Sequence, residues 1–85
     1  MAMTKAVSSA CIKFALVTGA AEDTNMAVAG IKTTDEIISC LELAATTALP
    51  TDRTATTSIT SDGNIQCSTA TTNDKLVLHW IDRTA

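Results

Sequence analysis

His79 is the only histidine in the chain, so any proton relay to a serine or a cysteine has to be assembled around it. Its chain neighbours are Leu78 and Trp80, and in an extended segment Val77 and Ile81 share its side. That setting predicts a packed or interface histidine rather than a catalytic base. The nine Asp and Glu residues fall mainly in expected turns: Glu22 and Asp23, Asp35 and Glu36, Asp52, Asp62, Asp74. Acid pairs serve hydrolysis or hold a hard cation, but no DxDxDG spacing occurs and solvated turn residues are expected. Cys11, Cys40 and Cys67 are odd in number and far apart, so they cannot form a complete intrachain disulfide set. With no CxxC pair and one histidine they do not suit zinc either, and are read as thiols packed like small hydrophobes. Gly19, Gly30 and Gly63 are too widely spaced for GxGxxG or a phosphate loop. The expectation is a protein without catalytic residues, cofactor or metal.

The elements that would position such residues read as short strands. From Cys11, Ile12, Phe14 and Leu16 alternate with Lys13, Ala15 and Val17, predicting a strand with the larger apolar set inward, ended by Gly19. Residues 20–25 are polar and acidic, an expected loop, and Met26 and Val28 continue as a short strand. Thr33-Thr34-Asp35-Glu36 has the look of a helix start, yet IISCLEL is rich in β-branched residues and a strand is preferred, with Ile37, Ser39, Leu41 and Leu43 on one face. Residues 44–53 form a loop holding the single proline, Pro50, which would break a central ladder. TATTSIT, SDGN and IQCST then spell a hairpin, Asp62-Gly63 supplying a type I′ turn. Thr54, Thr56, Ser58 and Thr60 would form an outward ladder, solvated or open to another chain. After a turn at residues 72–74, KLVLHWID places Leu76, Leu78 and Trp80 on one side and Val77, His79 and Ile81 on the other. A strand apolar on both faces is central or lies against a partner. These elements predict one all-β domain over residues 10–85, a small antiparallel sandwich or barrel of about six short strands, preceded by an arm at residues 1–9.

Composition narrows the function. The chain has 85 residues, 46% of them hydrophobic, with one Phe, one Trp and no Tyr, so its core is thin and association is an expected source of stability. A net charge of -3 and six scattered basic residues argue against nucleic-acid binding. No apolar run is long enough to span a membrane, and Lys13 interrupts the apolar stretch that a secretion signal would need.

The run KFALVTGAAEDTNMAVAGIKTTDEIISCLEL, followed by TATTSITSDGNIQCSTATTNDKLVLHWID, resembles small structural proteins of tailed bacteriophages, from about Lys13 to Asp82. The resemblance lies in the AVAGIKTTDEII phrase, the middle loop, the SITSDGNIQ hairpin and the closing apolar strand. It implies a capsid decoration or cement protein, made in the host cytoplasm and seated on the outer capsid surface. Its partner would be the major capsid protein, and it would be a homo-oligomer, a trimer by preference. A head-fibre base, tail or connector component is the alternative within virions, and a small carbohydrate or host-surface binding module the alternative outside that class. Lys5 and Val7 in the arm, with His79, Trp80 and Ile81 in the last strand, are the candidate interface residues.

Overall fold

The computed structural model describes residues 11–44 and 49–83. Their seven strands are β1 (Ile12–Thr18), β2 (Met26–Ala27), β3 (Glu36–Leu43), β4 (Thr51–Asp52), β5 (Thr57–Ser61), β6 (Asn64–Cys67) and β7 (Lys75–Ile81), with one 3₁₀ turn at Thr54–Thr56. They make two antiparallel sheets in the orders β1-β7-β3-β4 and β2-β6-β5. This is the expected small all-β fold, in its sandwich form. No helix among the described residues is long and apolar enough to cross a membrane.

The core is built where the two sheets face each other. Val17, Cys40, Leu76, Leu78 and Trp80 come from the larger sheet, Met26, Ile65 and Cys67 from the smaller, and Val28 and Ile31 from the loop after β2. Each large side chain contributes about 1.5–3 kcal/mol by leaving water. β7 is central, between β1 and β3, and its inward set is Leu76, Leu78 and Trp80.

That inward set dictates the facing of β1, and here the sequence reading is corrected. The ladder pairs Lys13 with Trp80, Ala15 with Leu78 and Val17 with Leu76, and directly paired residues share a face. Ala15 and Val17 therefore turn inward, while Ile12, Phe14 and Leu16 point out. A strand in isolation places its bulkiest set inside, but β1 takes its parity from the heavier strand beside it.

β3 is a strand, as preferred. Asp35, expected as a solvated turn residue, is instead buried and ties two segments together. One oxygen of its carboxylate accepts from the Lys32 backbone N–H at 2.9 Å and the other from that of Arg83 at 3.2 Å. The expected face of Ile37, Ser39, Leu41 and Leu43 is broken by a bulge. Ile37 pairs with Trp80 and Ser39 with the next residue back, His79, so Ile38 is the extra residue. Ile37 thus faces the core, and Ser39, Leu41 and Leu43 face out.

The hairpin joins β5 to β6 as expected, but its turn differs. Of the two turn residues only Gly63 has a positive φ, 84°, whereas type I′ requires it at both. A register shift between Ile59 and Ser61 supplies the added twist, and the Asp62 carboxylate is held by the Thr33 N–H at 3.0 Å. The Thr ladder is also shorter than expected. Thr54 and Thr56 lie in the 3₁₀ turn, where Thr54 Oγ1 accepts from the Cys40 N–H at 3.0 Å and Thr56 Oγ1 donates to the Arg53 carbonyl at 3.1 Å. β4 occupies part of the expected middle loop, pairing Thr51 with Glu42 and Asp52 with Leu41.

Candidate docking surface

The ladders arrange the outward residues of the larger sheet in rows across the strands. Ile12, Ile81 and Glu36 form the first, Phe14, His79 and Ser39 the second, Leu16, Val77, Leu41 and Asp52 the third, and Thr18, Lys75 and Leu43 the last. Phe14 is 75% exposed and Leu16 66%, values at which a large side chain gains almost nothing from the fold. Ile12, Ile38 and Leu43 are also exposed. Charged groups keep to the margin. Glu36 pairs with Arg83 at one end, Lys75 Nζ donates to Thr18 Oγ1 at 3.0 Å at the other, and Asp52 lies on the short β4. With about 3.3 Å per residue along a strand and about 4.8 Å between strands, the face covers roughly 350–400 Å². Its apolar part is smaller, because Glu36, His79, Ser39, Asp52, Thr18 and Lys75 share the rows, but contiguous apolar patches on soluble proteins are often functional.

The outer face of the smaller sheet is polar. Asn25 Oδ1 there accepts from Thr60 Oγ1 at 3.1 Å and from Gln66 Nε2 at 2.7 Å, beside the exposed Ser58. The two outer faces are therefore chemically unlike, and only one lowers its free energy by being covered.

The candidate interface residues of the last strand separate. His79 and Ile81 are half-buried on the apolar face, whereas Trp80 points into the sandwich and is 4% exposed. The Trp80 side chain is thus core, and its indole Nε1 has no hydrogen-bond partner among the described residues. Lys5 and Val7 lie outside the described residues, as does the boundary drawn between arm and domain.

His79 sits at the centre of the face. Its ring centroid is 6.0 Å from that of Phe14, the planes inclined by 37°, and its Nδ1 is 3.3 Å from Ser39 Oγ. A serine within reach of an imidazole is the beginning of a nucleophilic relay. Here the pair lies on an open sheet face, and among the described residues no carboxylate hydrogen-bonds the ring to orient it. Cys40 and Cys67 are free and buried and Cys11 is half-buried, and burial pushes the Cys40 thiol up, away from the reactive thiolate. No group of three His, Cys, Asp or Glu side chains among the described residues is placed to hold a metal.

Two features escaped sequence reading. One is the apolar face itself, whose β1 row had been assigned to the core. The available signal was β7, apolar on both sides: its second side had to be covered or exposed. The other is a charged cluster behind β4. Glu42 is buried and its Oε1 is 2.7 Å from Arg53 Nε. A side-chain hydrogen bond with Asp74 and the Arg53 guanidinium hold the Glu42 carboxyl below its ordinary value against the cost of burial. The same bond to Glu42 pushes the Asp74 carboxyl up. Spacing gave no hint of it, because the three residues come from separate elements.

No family model, curated protein or solved structure matches this chain.

Proposed function

We propose that the chain is a structural virion subunit that decorates or cements a bacteriophage capsid, with the apolar outer face of the larger sheet as its docking surface against the major capsid protein. The observation that carries this reading is the exposure of Phe14 and Leu16 on the edge strand β1 of a face whose charges are all marginal. A contiguous exposed apolar stretch on a thin-cored domain is a surface from which association can add stability. A cement needs area and repetition, not a reactive centre, and many copies reinforce a shell even where one contact is weak. The kind of shell is taken from the resemblance of the AVAGIKTTDEII phrase, the SITSDGNIQ hairpin and the closing strand to small phage virion proteins.

The carbohydrate-binding alternative is less well supported. Sugar sites present exposed aromatic rings among hydrogen-bonding groups. Trp80, the large ring available for stacking, is in the core, and Phe14 has only Ser39 and His79 as polar company in its row.

Purified protein should co-sediment to saturation with heads that lack it, and Phe14→Thr combined with Leu16→Thr should reduce binding at least tenfold. Failure of the wild type to bind heads, or undiminished binding by the double variant, would overturn the reading. Binding to tails or connectors in place of heads would move the same face to a different virion site.

A further inference from the structure

The four sheet edges among the described residues are not alike. β4 and β2 have two residues each, and β4 follows Pro50. β5 has five residues and a register break between Ile59 and Ser61. These are the features by which proteins blunt an edge against pairing. β1 carries one such feature, Lys13 on the inward side, but it has seven residues, no Gly or Pro, and seven consecutive unbroken pairs with β7. Its other side is paired to no strand among the described residues.

The ladder specifies which backbone groups point to that side. Gly19 N–H bonds the Asp74 carbonyl and Asp82 N–H the Cys11 carbonyl, and hydrogen-bonded pairs alternate along an antiparallel ladder. Lys13, Ala15 and Val17 therefore exchange bonds with β7. Ile12, Phe14, Leu16 and Thr18 direct their N–H and C=O groups to the open edge.

We propose that this edge pairs antiparallel with β1 of a second copy about a two-fold axis at Ala15, joining two larger sheets into one of eight strands. The register pairs Ile12 with Thr18, and Phe14 with Leu16, of the opposite copy. These are the residues with free backbone groups, so about eight new hydrogen bonds form and every residue of the strand is matched. Lys13 lies across from Val17, with the two lysines about 13 Å apart along the strands, beyond the screening length at physiological salt. A parallel pairing in register would set Lys13 beside Lys13. Outward residues pair with outward residues, so the apolar faces merge and each Phe14 packs beside a Leu16, a favourable cross-strand pair. The β1 edge is self-complementary, as a two-fold interface requires.

This seam deepens the reading of the chain as an assembling subunit and doubles the proposed docking face. Solution mass is the first measurement: light scattering from micromolar to millimolar concentration should show a monomer passing to a dimer. Leu16→Pro removes an N–H directed at the open edge and none of the β7 bonds, so it should abolish the dimer while the circular dichroism of the folded domain persists. Should that variant unfold, two other readouts still decide. Ala15→Cys in a Cys11→Ser background should oxidise to a covalent dimer, because a non-hydrogen-bonded pair brings its Cα atoms to about 4.5 Å. Lys13→Cys in the same background should not. In the wild type, amide exchange at Phe14 and Leu16 should slow at least tenfold with rising concentration, while Ala15 and Val17 stay protected throughout. A trimer, a dimer unaffected by Leu16→Pro, or equal crosslinking at residues 13 and 15 would overturn the seam. So would amides at Phe14 and Leu16 that stay fast, or that stay slow in a dilute monomer, the sign that the chain's own residues cover the edge. Head binding separates the two readings: a monomer that saturates heads sinks the seam alone, and a dimer that ignores heads sinks the shell reading alone.

Discussion

A Cβ built on Gly19 would lie 2.0 Å from the Thr71 carbonyl oxygen, so the position is held by space. Thr71 is buried, its N–H donates to the Ala20 carbonyl at 2.8 Å and its Oγ1 accepts from the Ala20 N–H at 3.1 Å, leaving no slack for retreat. Gly19→Ala should cost at least ~2 kcal/mol, which for a domain of this size lowers the melting temperature by roughly 10 °C. An unchanged melting temperature would show that the loop yields. Asp74 presents an electrostatic case. Its carboxyl is raised by the hydrogen bond to Glu42, so above its ordinary range the folded chain holds a proton that the unfolded chain releases, and stability falls as pH rises through that window. Glu42, lowered, has the opposite slope: its contribution is present above the ordinary glutamate range and is lost on acidification. Asp74→Asn keeps a hydrogen-bond donor toward Glu42 and removes the second negative charge. It should raise the melting temperature at pH 7, have little effect near pH 4, and flatten the profile between. A melting temperature lowered at pH 7 would mean that the Asp74 charge serves another contact.

At the scale of elements, what was legible depended on whether a strand's facing was set locally. The existence of the strands other than β4 followed from β-branched content and punctuation: Gly19 follows β1, Asp62-Gly63 separates β5 from β6, and Asn73, at φ 70°, turns the chain into β7. The alternation of β7 was also legible, with Leu76, Leu78 and Trp80 on one side and Val77, His79 and Ile81 on the other, but not which side turns inward, since both are apolar. The facing of β1 was not legible either, since Ile12, Phe14 and Leu16 outweigh Ala15 and Val17 and the deciding influence was a partner about sixty residues away in sequence. Ile37 was lost to a bulge, which adds one residue to a strand without altering its composition. Thr54 and Thr56 carried strand-like chemistry into a 3₁₀ turn because the Thr54 hydroxyl, by accepting from the Cys40 N–H, does the work of a ladder carbonyl. The candidate surface was half legible for the same reason: His79 and Ile81 were found on β7, while Phe14 and Leu16 were hidden by the misread parity of β1.

For the molecule as a whole, the larger sheet is stable on one face and unfinished on the other. The inward face already contains Leu76, Leu78 and Trp80, all nearly fully buried, so the outward residues should be expendable for folding and decisive for association. Phe14→Thr with Leu16→Thr keeps β-branched side chains at strand positions and removes the exposed apolar bulk, and should change the melting temperature of the dilute protein by only a few degrees. The same pair of changes should weaken self-association at high concentration only by the lost Phe14–Leu16 packing, since the backbone groups of the seam remain, and should remove the tenfold share of head binding assigned to the face. Thermal unfolding of the double variant, set against its solubility limit and head binding, checks the separation. A large loss of stability would show that the outward row supports the fold, and the sheet would then be a core in need of both faces. Unchanged stability with lost association would identify a domain that folds on one face of a sheet and functions through the other.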